Sequence, residues 1–132
     1  MQSKTLLAMG GVFAATGVAL GAFAAHGLKK VLSPYFIEVF NTAVLYQMLH
    51  AIALVLCGIV LLIKLPAKAE KYFALAAICF IIGILCFSGS LYALALTGIK
   101  WFGPITPLGG VSFMAGWGLF VYAALQVKEV KQ

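Results

Sequence analysis

The sequence predicts an all-α membrane protein, a bundle of four transmembrane helices, and three observations carry that prediction. Of its 132 residues, 64% are hydrophobic and 9% charged, against roughly 45–50% and about 25% in an ordinary soluble domain. The charged residues, all lysine or glutamate, leave charge-free windows at 5–28, 39–63, 72–99 and 101–127, which hold 104 of the 132 positions. These windows are 24, 25, 28 and 27 residues long. Since about 20 apolar residues rising 1.5 Å each cross a hydrocarbon core of about 30 Å, each window spans once.

The first helix is expected over about 5–25, with Gly27 as a C-cap residue before Leu28, Lys29 and Lys30. Lys4, the apolar run Leu6 to Leu20 and the triplet Ala22-Phe23-Ala24 also resemble a cleavable secretory signal. Glycines at helical spacing within the run favour a retained first span. The second helix is expected over 34–63, because Ser33-Pro34 is a good N-cap and first-turn pair ahead of the charge-free window. The third takes 72–97, with Tyr72 and Tyr92 toward its opposite ends as interfacial aromatics. Two prolines three residues apart, Pro104 and Pro107, break the next apolar stretch, so a loop precedes a fourth helix over 108–127. With no internal repeat or linker, residues 1–132 are expected to form a single membrane domain.

A formal net charge of +6 would point to nucleic acid in a soluble protein, but here the lysines flank the apolar windows and read as topology signals, with no nucleic-acid partner. Six of them (Lys4, Lys64, Lys68, Lys71, Lys128 and Lys131) fall on the side of the termini and three (Lys29, Lys30 and Lys100) on the other. Lysine-rich flanks stay inside, so both termini are expected in the cytoplasm and the protein in the inner or plasma membrane. Cys57, Cys79 and Cys86 lie inside spans without Cys-x-x-Cys spacing, and read as small core residues.

Small residues form stripes at helical spacing. On the first helix these are Gly10, Ala14, Gly17, Gly21 and Ala25; on the third Cys79, Gly83, Cys86, Ser90, Ala93 and Thr97; on the fourth Gly109, Ser112, Gly116 and Ala123. Lipid is as apolar as leucine, so membrane helices associate through close backbone approach and interhelical hydrogen bonds, which small residues permit. The stripes therefore predict a tight bundle, and the same faces suit contact between protomers.

Polar groups concentrate in the outer half of the second helix, where Glu38 and Asn41 precede a stripe of Thr42, Tyr46 and His50 with Gln47 beside it. Ser88, Ser90, Tyr92 and Thr97 sit in the outer half of the third helix, and the connecting segments add His26, Trp101 and Thr106. Unpaired polar groups are costly in hydrocarbon, so Thr42, Tyr46, Gln47 and His50 are expected to face inward and share a hydrogen-bonded pocket with Ser88 or Ser90. Enzyme chemistry fits poorly: Glu38 and His50 are 12 residues apart, about 18 Å along a helix, too far for an acid–histidine pair. No metal or cofactor is expected. A haem on His26 and His50 would need two histidines of different depth to meet across one iron. The lack of inverted repeats argues against a secondary transporter.

Four motifs in order, Gly21-Ala22-Phe23-Ala24-Ala25-His26-Gly27-Leu28, then Thr42-Ala43 with Tyr46-Gln47 and His50-Ala51, then Phe87-Ser88-Gly89-Ser90-Leu91-Tyr92, and Gly103-Pro104-Ile105-Thr106-Pro107-Leu108-Gly109-Gly110, span nearly the whole chain. Together they resemble the domain-of-unknown-function 423 family, which also takes in animal transmembrane protein 256. The resemblance implies a small four-helix bacterial inner-membrane protein with a loose role in envelope integrity, and supplies no reaction or cofactor. The leading functional expectation is a structural or accessory protein that binds a membrane lipid, another membrane protein or a second copy of itself through the outer polar pocket. A proton-coupled or small-molecule transporter using His50 comes second, and a redox or haem accessory third.

Overall fold

The computed structural model describes residues 2–129. Among the described residues, four helices are long and apolar enough to cross a membrane. The first crossing is α1, Ser3–Ala25, followed by a 3-10 turn at Leu28–Lys30. The second is α2, Pro34–Val60. The third is one rod in two pieces, α3 (Ala67–Gly83) and α4 (Gly89–Thr97), joined by a π-helical segment at Ile84–Ser88. A 3-10 turn at Lys100–Phe102 leads to α5, Ile105–Leu125.

Local chemistry accounts for most of these limits. The Ser33 hydroxyl accepts the Phe36 amide at 3.3 Å and Pro34 occupies the first turn, the expected start of α2. α3 begins five residues before the expected 72, because Lys68, Glu70 and Lys71 are accommodated in its first turns with their head groups in water. α5 begins before the expected 108; Pro107 falls in the first turn, where a missing N–H loses no intrahelical bond. At its other end α2 stops at Val60 rather than 63. The expected cap at Gly27 is corrected: His26 takes the C-cap position, and Gly27 has a right-handed φ of −67°. The left-handed stop falls instead at Gly98, φ 69°, after α4.

The helices pack as two antiparallel hairpins. Along the α1–α2 seam, a methyl group added at Gly10 would meet Val55, at Gly17 Met48, and at Gly21 Val44, so numbers rise on one helix as they fall on the other. The third crossing and α5 make the second seam, where Gly83 faces Phe113, Gly116 faces Phe80, and Gly109 lies against the Phe87 backbone. Ala25 of the expected α1 stripe is exposed, and Ala24 is buried in its place, as is Leu6 near the other end. α2 and the third crossing are the inner elements, with α1 and α5 outside them. The central core joins Leu54, Cys57, Ala77, Phe80, Ile84 and Phe113, with smaller clusters around Phe40 at one end and Phe73 at the other.

Candidate functional site

The single polar pocket expected from the sequence is resolved into three separate hydrogen-bonded sets. Gln47 centres the first. Its amide nitrogen donates to the Phe13 carbonyl at 2.8 Å and the Thr16 hydroxyl at 2.9 Å, while its carbonyl accepts from the Tyr92 hydroxyl at 2.6 Å. This ties α1, α2 and α4 together. Tyr92, expected both as an interfacial aromatic and as a member of the polar pocket, is drawn inward, bonds Gln47 and packs on Phe40 with ring centroids 4.9 Å apart. The second set holds the π segment. Ser88 donates to the Ala43 carbonyl at 2.8 Å, and Ser90 lies 2.6 Å from the Thr106 hydroxyl and donates to the Phe87 carbonyl at 2.9 Å. Ser112 adds a bond to the Cys79 carbonyl at 2.7 Å. A π segment lodges an extra residue in a helix; here Ser90 bonds a carbonyl within it, Ser88 ties its end to α2, and Ser112 bonds α3 five residues before the segment starts.

His50 makes the third set. Its Nδ1 lies 2.7 Å from the Tyr46 carbonyl, and its Nε2 lies 3.0 Å from the Trp117 indole nitrogen. The carbonyl can only accept and the indole N–H can only donate, so His50 is a neutral imidazole carrying its hydrogen on Nδ1. Neither nitrogen is left to ligate an iron or relay a proton without breaking one of these bonds. Expectations of a haem ligand or proton carrier at His50 meet this obstacle. His26 is exposed at the end of α1, apart from His50. Thr42 bonds its own helix, donating to the Glu38 carbonyl at 3.0 Å rather than joining Ser88 or Ser90. Its hydroxyl does not enter the shared cluster because the preceding turn already satisfies it.

Among the described residues, no buried side-chain nitrogen or oxygen lacks a hydrogen-bond partner. Tyr46 differs from its neighbours: it is 36% exposed, and none of these bonds uses its hydroxyl. It stands at the edge of a groove of about 440 Å³, walled by α2 at Tyr46 and His50 and by α5 from Pro107 to Trp117, with Phe87 of the π segment between them. The wall is aromatic and uncharged. His50 stacks on Phe113 with centroids 3.6 Å apart and planes at 14°, and Tyr46 lies 4.5 Å from Phe87. Met114 and Val111 on the rim are exposed.

Thr16, Phe113 and Trp117 were absent from the residues singled out by sequence. Thr16 is flanked by the apolar residues of α1, and the two aromatics read as ordinary apolar positions of α5. A polar α2 facing them was the only available signal.

The family model described as "Protein of unknown function (DUF423)" matches residues 20–110. A UPF0382 membrane protein of Haemophilus influenzae is 42% identical over 133 residues, covering 98% of this chain and all of the relative. The UPF0382 inner membrane protein YgdD of Escherichia coli is 34% identical, with 98% and 95% of the two chains covered. The UPF0382 membrane protein SAB0533 of Staphylococcus aureus is 37% identical over 93% of this chain and 97% of its own. No solved structure matches the chain significantly.

Proposed function

We propose that this chain, which belongs to the DUF423 family of membrane proteins, is a non-catalytic accessory protein that holds a lipid in the groove between α2 and α5. The observation that carries this reading is the contrast between a fully hydrogen-bonded interior and a groove whose rim keeps the Tyr46 hydroxyl unpaired. A structural network is closed and satisfied; a binding site keeps an opening and a spare polar group. The groove supplies both. Its volume of about 440 Å³ suits a lipid chain, whereas a partner helix is about 10–12 Å across with its side chains and would contact only the rim.

The orientation belongs to the same proposal. Lys4, Lys64, Lys68, Lys71 and Lys128 sit at the end of the bundle with both termini, against Lys29, Lys30 and Lys100 at the other; Lys131 lies outside the described residues. The excess of positive charge favours that end in the cytoplasm. The groove, which starts near Pro107, then opens into the outer leaflet.

A groove-filling variant tests the lipid reading. Gly110 lines the groove, and a methyl group added there would come no nearer than 3.8 Å to Phe87, so Gly110→Leu is expected to fill the groove. Lipid mass spectrometry of the purified protein is expected to find a retained lipid in the parent and its loss in Gly110→Leu at unchanged thermal stability. Equal retention by both proteins contradicts the reading.

A further inference from the structure

We propose that the occupant of this groove is a neutral lipid with a planar, carbonyl-bearing ring on an apolar tail, an isoprenoid quinone by chemistry, positioned by a hydrogen bond from the Tyr46 hydroxyl. The inference rests on the groove being a lipid site and goes further by assigning the head group.

Ring geometry is the first support. Tyr46 and His50 are nearly coplanar in direction at 11°, His50 and Phe113 at 14°, and Tyr46 and Phe113 at 24°. His50 and Phe113 cover one another's faces and are buried, so the rings that meet an occupant are those of Tyr46 and Trp117, 36% and 39% exposed, with Phe87 beside them, and a flat ring stacks on these in offset fashion. A saturated acyl chain gains nothing from such stacking.

Charge and depth are the second. α5 carries no charged residue from Ile105 to Leu125, and the charged residue of α2, Glu38, lies eight positions from Tyr46. A phosphate at the groove would be desolvated without a compensating cation, which membrane interiors penalise heavily. Tyr46 is 12 residues into α2, about 18 Å along its axis, near the middle of a hydrocarbon core of about 30 Å. A phospholipid head stays at the surface and leaves the Tyr46 hydroxyl unused. A neutral ring reaches that depth with its tail still in hydrocarbon, and its carbonyl accepts the one free donor on the wall. The groove runs ten residues along α5, from Pro107 to Trp117, about 15 Å, which leaves room for the first units of the tail.

The chain contains two tryptophans, Trp101 and Trp117. Trp101 is exposed in the connecting turn, so Trp101→Phe makes the groove residue Trp117 the only fluorophore of its kind. The experiment titrates this variant, in dioleoylphosphatidylcholine vesicles, with decylubiquinone and separately with phosphatidylcholine brominated on its acyl chains. Quenching of Trp117 by decylubiquinone is expected to saturate at low mole fraction, to suppress quenching by the brominated lipid, and to need about fivefold more quinone after Tyr46→Phe, the loss of one hydrogen bond. Unsaturable quinone quenching that ignores Tyr46→Phe, alongside brominated-lipid quenching that Gly110→Leu relieves, overturns the quinone assignment and leaves a phospholipid chain in the groove. If Gly110→Leu relieves neither form of quenching, the lipid site falls as well.

Discussion

Gln47 and Thr42 sit five residues apart on α2 and look alike in the sequence, yet they differ in the bonds they hold. Gln47 bridges three helices, so Gln47→Leu leaves the Tyr92 hydroxyl without its acceptor and cuts the tie to α1, whose Phe13 carbonyl keeps the Thr16 hydroxyl. Interhelical hydrogen bonds in membranes contribute roughly 0.6–2 kcal/mol each, and a loss of about 1–3 kcal/mol is expected. Thr42→Ala removes a bond within one helix and should change stability by less than about 0.5 kcal/mol. Unfolding of the two variants in detergent, followed by circular dichroism, checks the difference; equal stabilities would contradict the network. The sequence showed that Gln47 and His50 should turn inward, because hydrocarbon penalises exposed amides and imidazoles. It could not show which helices they would meet. That depends on the order of helices around the bundle, and a wheel drawn for one helix carries no information about its neighbours.

The third crossing shows the same division at the scale of an element. Its length and apolarity were legible, as were the small residues that let α5 approach. Its start was not: charge marks where side-chain heads reach water, whereas the backbone continues helical for another turn or more beneath them, as at Lys68 and Lys71. Nor was the π segment legible, since Ile84 to Ser88 has no proline and reads as ordinary helix. A π segment of one turn absorbs a single extra residue, so its removal should return the rod to α-helix with both flanks in register. Deleting Leu85, an exposed residue, is therefore expected to leave a folded bundle, less stable by the loss of the Ser88 bond. Deleting Ala93 within regular α4 should rotate the rest of α4 by about 100° and disrupt packing far more. Thermal melts of the two deletion variants distinguish them. Deletion of Leu85 proving as damaging as deletion of Ala93 would contradict the bulge.

For the whole molecule, the two hairpins place all of α2 and the third crossing between α1 and α5, and the groove arises where α2 and α5 approach across the π segment without closing. The lysine distribution predicts a direction for this architecture. A reporter active only in the cytoplasm, fused after Gln132, is expected to be active, and one active only outside the cytoplasm is expected to be silent; the reverse result would move the groove to the inner leaflet. Lipid binding in the groove is tested most directly by photocrosslinking from two positions of matched exposure, Val111 on the groove rim at 60% and Val12 on the outer face of α1 at 62%. Each valine is replaced by p-benzoylphenylalanine, the protein is irradiated in native membranes, and the adducts are weighed. The account predicts one dominant lipid adduct at position 111 and, at position 12, a spread that follows the bulk membrane composition. The same adduct profile at both positions would contradict it.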